Sequence, residues 1–276
     1  MFETGYAKLN LALHVRAREP DGYHRLETLF AFCEDGDRLS VGPADALSLR
    51  VEGPFADRLG SGDDNLVLRA AGALRSACAV GAGASLTLDK RLPIASGIGG
   101  GSADAAAALR LLRRFWAVDF DGGSLLELAA SLGADVPACV ESRTAWGEGR
   151  GDRLAPGPKD LQGGPVLLVN PGIALSTPAV FAGWDGVDRG VLASGSARKA
   201  ALDGRNDLEA SATALAPAIA DLLAILRSCP GVTVARMSGS GATCFALFEH
   251  DADRDMAADR VRTAQPGWWQ LATRLR

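Results

Sequence analysis

Lysine is scarce in this chain: four of its 29 basic residues are lysines (positions 8, 90, 159 and 199), leaving 25 arginines (29 − 4). There is no basic excess either, because 33 acidic residues set the net charge at −4, so a nucleic acid polymer is not the expected partner. No uninterrupted apolar run approaches the roughly 18 residues of a membrane span. The opening Met-Phe-Glu-Thr-Gly lacks the basic and apolar segments of a signal peptide. A cytoplasmic protein without a membrane contact or an obligate protein partner is the expectation. The five cysteines (33, 78, 139, 229, 244) are odd in number and widely spaced, with no C-x-x-C, which argues against a disulfide framework or a zinc site. They read as small buried apolar residues. No Gly-Lys dipeptide occurs, so a Walker A loop is excluded. Neither His-Arg-Asp nor Asp-Phe-Gly occurs, which excludes a protein kinase. No repeat of 20–50 residues is visible. What remains is 276 residues, 47% hydrophobic and 22% charged, enough for one large domain or two ordinary ones.

Residues 5–16 alternate strictly. Ala7, Leu9, Leu11, Leu13 and Val15 share one face, and Lys8, Asn10, Ala12, His14 and Arg16 share the other. Period two over that length predicts a half-buried strand. Its polar face is either simply solvated or a site built on a rigid strand. Residues 84–90 predict a second strand and 103–116 a helix. Ser124 reads as a helix start with Glu127 completing a capping box, and Gly133 as that helix's stop. Residues 147–164 are rich in glycine and proline and read as loops at a domain boundary. A strand is expected at 165–170, loops over 183–204, a helix start at 206–209, a helix from Pro217 to about Ser228, and strands at 232–236 and 243–248. Strands and helices mix without a regular βαβ rhythm, so the expected class is α+β.

Residues 93–104 are Pro-Ile-Ala-Ser-Gly-Ile-Gly-Gly-Gly-Ser-Ala-Asp. Four glycines in five positions let the backbone turn its N–H groups toward a ligand. Ser102 stands where an N-cap belongs, and the helix after it adds orphan N–H groups and a partial positive charge. Loop plus helix start suits phosphate. The plainer alternative is a flexible loop before a capped helix. Asp135 lies on a turn after Gly133, either as an ordinary cap or as a carboxylate able to orient or deprotonate a hydroxyl. The segment Ser238-Gly239-Ser240-Gly241 is either a hairpin turn or a second backbone surface for a ligand.

In order, the Lys8 strand, the 93–104 loop and the 237–243 segment (Met-Ser-Gly-Ser-Gly-Ala-Thr) resemble the GHMP kinase superfamily. Within it, residues 7–11 (Ala-Lys-Leu-Asn-Leu), 21–30 (Asp-Gly-Tyr-His-x-Leu-x-Thr-Leu-Phe), 132–137 (Leu-Gly-Ala-Asp-Val-Pro), Asn170-Pro-Gly172 with Thr177-Pro178, and 206–209 (Asn-Asp-Leu-Glu) are similar to a branch acting on CDP-methylerythritol in the non-mevalonate route to isoprenoids. The resemblance spans residues 5–248.

It implies an ATP-dependent small-molecule kinase with Mg2+, a two-lobed α+β fold with its active site in the cleft between lobes, and domains at 1–155 and 160–276. The substrate is then CDP-methylerythritol, phosphorylated on its 2-hydroxyl, with Lys8 and Asp135 catalytic. ATP would lie on Pro93, Ile94, Ala95, Ser96, Gly97, Ile98, Gly99, Gly100, Gly101, Ser102 and Ala103, with Ser102 the candidate contact to metal or phosphate. The acceptor would meet Asn10, Tyr23, His24, Phe30, Thr177, Phe181, Gly239, Ser240 and Gly241. In this picture Tyr23 and Phe181 sandwich the cytosine and His24 bonds its polar edge. Two departures stand out. Ala103 replaces a second serine, so no second hydroxyl is offered to phosphate, and Ile94-Ala95-Ser96 stands where the family carries more glycine. A binding-only relative would not need both Lys8 and Asp135. A kinase for homoserine or mevalonate would not need Tyr23, His24 and Phe181, because those alcohols carry no base.

Overall fold

The computed structural model describes residues 1–62 and 64–276. The chain forms two compact units, each drawing on more than one stretch of sequence. The first comprises Met1–Lys8, Asp35–Ile94 and Gly99–Ser142; the second comprises Leu9–Glu34, Ala95–Ile98 and Arg143–Arg276. Strands β1 (Phe2–Arg18) and β2 (His24–Gly42) contribute residues to both.

In the first unit the far end of β2 pairs antiparallel with β4 (Ala84–Asp89), and β4 pairs in parallel with β3 (Leu47–Glu52). Helices α1 (Leu66–Ala77), α2 (Gly100–Phe115), α3 (Gly122–Leu132) and α4 (Val136–Glu141) pack together, α2 against both α1 and α4. Helix α2 owes its central place to composition: Ala103 and 105 to 108, with Leu109, Leu111 and Leu112, are all buried, and the small residues allow close approach. Helix α3 begins three residues before the position expected from Ser124. Asp121 caps it, accepting from the N–H groups of Gly123 and Ser124 at 2.8 and 3.0 Å, while Ser124 sits inside the first turn. An aspartate accepts these donors with a full charge, so it displaces the serine as cap. Gly133 ends the helix as expected.

In the second unit β10 (Trp269–Arg274), β7 (Pro165–Asn170), β9 (Cys244–Phe248) and β8 (Val232–Met237) form an antiparallel sheet in that order. Helices α8 (Ala218–Arg227) and α9 (Asp251–Ala264) pack on it, and α5 (Thr177–Ala182), α6 (Ala197–Asp203) and α7 (Glu209–Leu215) complete the unit. The glycine-rich stretch after 144 is not all loop. It forms a hairpin of β5 (Ala145–Gly149), which pairs with β2, and β6 (Arg153–Pro156). Helix α6 likewise interrupts the loop expected over 183–204; Ser196 caps it through the N–H of Lys199.

Strand β1 corrects the half-buried reading. Residues 7 to 15 are buried on both faces, polar positions included. Each buried polar group has a partner, as the interior requires. Lys8 meets Asp135, Asn10 meets Thr28, and His14 meets Gly190 and Arg205. All five cysteines are free, and four are buried. Among the described residues no helix is long and apolar enough to cross a membrane.

Candidate active site

The first unit holds the Lys8–Asp135 pair. Lys8 projects from β1, and its Nζ donates to Asp135 Oδ2 at 3.0 Å. The lysine is almost sealed, with a side chain 4% exposed, whereas the aspartate is 40% exposed. Asp135 occupies the N-cap position of α4, yet its side chain makes no cap hydrogen bond. Its carboxylate is therefore spent on Lys8 and open on its other side. Cys139, one turn along α4, is pushed up to about 12 by burial, which leaves it an inert thiol beside the pair.

The start of α2 lies in the same unit. The sequence reading put the N-cap at Ser102; the structure puts it at Gly99, with Ser102 in the first turn. Gly99 has φ +65°, and a Cβ there would lie 3.0 Å from Lys8 Cε, so only glycine fits both the turn and the lysine stem. A glycine cap has no side chain, and no side-chain hydrogen bond closes this end of a 16-residue helix. The N–H groups of its first turn have no carbonyl within the helix to bond. They and the helix dipole favour an anion. Of the rest of the loop, Pro93, Ser96, Ile98 and Ala103 are buried, Ile94, Gly97 and Gly100 are partly covered, and Ala95 and Gly101 are exposed.

In the second unit residues 95–98 pack on the β8–β9 turn. Thr243 N–H donates to Ser96 O at 3.0 Å, and Ser238 Oγ donates to Gly97 O at 2.9 Å. Gly97 has φ +78°, and a Cβ there would stand 2.4 Å from Ser238 O. The 238–241 segment is thus a hairpin turn and also the floor under half of the glycine loop. Asn10 joins it: its N–H donates to Ser238 Oγ at 3.2 Å, and its Nδ2 to Thr28 Oγ1 at 2.8 Å. Thr177 and Ser240 share a hydroxyl hydrogen bond at 2.9 Å. Asn206, seen in sequence as part of a helix start and of a family motif, holds the turn from below, its Nδ2 donating to Met237 O and Gly239 O at 2.8 Å each.

His24 stacks on Phe181 with ring centroids 5.0 Å apart, tilted by 41°. Its other neighbour is the edge of Trp184 at 5.7 Å, which the sequence reading missed because nothing local links position 184 to position 24. Arg18 Nε donates to His24 Nε2 at 3.2 Å, so that nitrogen acts as acceptor. Burial, then the Arg18 charge, holds the His24 pKa below its ordinary 6.5. Tyr23 is 56% exposed, and the guanidinium of Arg150 covers one face of its ring, 3.7 Å from the centroid. Arg150 also pairs with Asp21 at the same turn. Phe30 is a core side chain, packed so tightly on β5 that a Cβ on Gly147 would fall 2.6 Å from its ring.

Comparison with known proteins places the chain in a family. Residues 65–143 match the GHMP kinases N terminal domain, and residues 193–266 match the GHMP kinases C terminal domain. The chain is 56% identical to the 4-diphosphocytidyl-2-C-methyl-D-erythritol kinase of Rhizorhabdus wittichii, over 99% of this chain and 94% of that protein. A crystal structure of 4-(cytidine 5'-diphospho)-2C-methyl-D-erythritol kinase superposes with a TM-score of 0.81 at 33% identity, covering 100% of this chain and 99% of that one. Homoserine kinase from Cytophaga hutchinsonii shares the fold, with a TM-score of 0.73 at 14% identity over 98% of this chain and 94% of that one.

Proposed function

This chain belongs to the GHMP kinases, and from that membership we propose that it transfers the γ-phosphoryl group of ATP to the 2-hydroxyl of 4-diphosphocytidyl-2-C-methyl-D-erythritol, giving the 2-phosphate and ADP. Full-length similarity to proteins of that name supports the acceptor, and the Lys8–Asp135 pair carries the chemistry.

ATP is the phosphoryl donor of a kinase of this family, and its phosphates lie on the glycine loop against the N–H groups that open α2. Asp135 receives or steers the proton of the 2-hydroxyl through the side of its carboxylate that Lys8 leaves open. Lys8 fixes that carboxylate and offsets the charge that develops as the phosphoryl group moves. Phosphoryl transfer leaves a protein little covalent chemistry to do, so positioning and electrostatics supply most of the rate. Tyr23, His24 and Phe181 hold the cytosine. Base stacking on an aromatic ring contributes roughly 1–3 kcal/mol, and a polar base edge buried without a partner would cost a comparable amount.

Among the described residues no group of three His, Cys, Asp or Glu side chains could hold a metal. Magnesium keeps most of its shell as water and phosphate oxygen, so it would arrive on the nucleotide. When bound it would neutralise phosphate charge, with the Ser102 hydroxyl as the protein contact. Five free cysteines favour a reducing compartment, in keeping with a cytoplasmic reaction.

The deciding assay is ADP release with CDP-methylerythritol compared with mevalonate, homoserine and galactose. Turnover confined to the cytidine compound is expected, and equal or better turnover of any other alcohol would overturn the reading.

A further inference from the structure

A second buried lysine also lies in the first unit. Lys90 follows the last residue of β4, and its Nζ lies 2.5 Å from Asp37 Oδ2 and 2.6 Å from Asp104 Oδ2. The three side chains are 2%, 0% and 3% exposed. Asp37 comes from the far end of β2 and Asp104 from the second turn of α2. The remaining oxygen of Asp37 accepts from the N–H groups of Arg91 and Leu92, at 2.6 and 2.8 Å. A Cβ on Gly100 would stand 3.1 Å from Lys90 Nζ. One ion cluster therefore grips the glycine loop twice: at its entry through residues 91 and 92, and at its exit beneath Gly100 and at Asp104.

Two carboxyl groups and one ammonium share a site sealed from water. Burial works against the Lys90 ammonium, but Asp104 and Asp37 outweigh it and raise its pKa. Burial likewise raises Asp104, to about 8, against the pull of Lys90 and with the push of Asp37. Lys90 and Asp104 therefore both hold a proton more tightly than they would in water. Such a cluster is an expensive way to fill a core, because apolar groups of similar volume often serve stability as well or better. Its placement at both ends of one loop gives it another use.

We propose that Asp37, Lys90 and Asp104 are positioning residues for ATP, holding the entry and exit of the glycine loop so that the N–H groups opening α2 stay aimed at the phosphates. This rests on the reading that the loop carries those phosphates. The cluster touches no group assigned to the acceptor, so its effect is confined to the nucleotide.

The test is calorimetric titration of ATP into the full chain, with thermal melts and the acceptor KM measured alongside. Asp104→Ala and Lys90→Met are expected to melt cooperatively, to lose about tenfold or more in ATP affinity because small misplacements of binding groups are costly, and to keep the acceptor KM. Asp104→Asn, which still accepts from Lys90, recovers most of the loss; a purely volumetric role would not distinguish it from Asp104→Ala. Wild-type ATP affinity in Asp104→Ala, or an equal loss for acceptor and nucleotide, overturns the proposal. Should both variants fail to fold, Asp37→Asn keeps the volume and the backbone acceptor while breaking one pair, and unchanged ATP affinity there overturns it equally. Gly101→Val probes the premise separately, since a Cβ at that position meets only Leu66, at 3.6 Å. Unchanged ATP affinity in Gly101→Val overturns the phosphate loop itself, and the proposal with it.

Discussion

The ammonium of Lys8 and the carboxylate of Asp135 meet at 3.0 Å across 127 residues of chain. The lysine is sealed inside a strand, and the aspartate stands at a helix start without capping it. A pair that acts as one unit loses its effect when either half is removed. Asp135→Asn keeps the shape but takes no proton, so turnover is expected to fall by about 10²–10⁴-fold with both ligands still bound. Lys8→Ala should fall similarly, and the double variant should be little worse than either alone. Single-turnover rates for the three variants check this; losses that multiply would mean independent roles.

His24 is wedged between Phe181, Trp184 and Arg18. His24→Ala should raise the KM for the cytidine substrate by about 5- to 150-fold, the range of one stacked or hydrogen-bonded base, with little change in the KM for ATP. Burial and Arg18 lower its pKa below 6.5, so the neutral ring persists through neutral pH. Acceptor affinity should therefore hold steady around pH 7 and weaken only as pH falls below the ordinary histidine range. A KM–pH profile breaking above 6.5 would contradict the assignment.

Ala95 holds φ +51°, a left-handed backbone that costs an L-residue roughly 1–2 kcal/mol. Ala95→Gly removes the strain but frees the unfolded chain, which returns part of the gain. A net stabilisation of about 0.5–1 kcal/mol is expected, read as a higher midpoint in urea unfolding with unchanged slope. A lower midpoint would show that the left-handed turn carries no strain.

His14 works in the second unit, not beside Lys8. Its Nε2 accepts from Arg205 N–H at 3.3 Å and its Nδ1 faces Gly190 O at 3.1 Å, an arrangement only the neutral ring satisfies. Burial, then the Arg205 charge, lowers its pKa from 6.5. Below 6.5 the unfolded chain binds the proton more readily than the folded one, so stability is full above 6.5 and declines as pH falls beneath it. His14→Asn should be less stable at pH 7 but show a shallower decline on acidification. Parallel Tm–pH curves for variant and wild type would remove His14 from that decline.

Alternation along 5–16, the alanine-rich run after 103 and the glycines around position 99 announced a strand, a helix and a tight turn. Those signals are local: side-chain period and φ preference act within a few residues. The family motifs likewise pointed to Lys8, Asp135 and His24 as residues of interest. They also paired Lys8 with Asp135 and grouped His24 with Phe181, whereas Arg18 and Trp184 beside His24 lay beyond reach. Asp121 rather than Ser124 caps α3, and Gly99 rather than Ser102 opens α2, because competing caps separated by three residues are decided by which side chain the folded turn aligns. Whether the polar face of β1 met water or protein depended on Thr28 of the next strand and on Asp135, Gly190 and Arg205, each more than a hundred residues from its partner on β1. The same holds for Lys90, which reads in sequence as the end of an ordinary strand and becomes, once β2 and α2 arrive, the centre of a buried ion cluster. Period and turn chemistry are properties of neighbours along the chain. Burial and charge pairing are properties of neighbours in space, and only the folded chain brings those together.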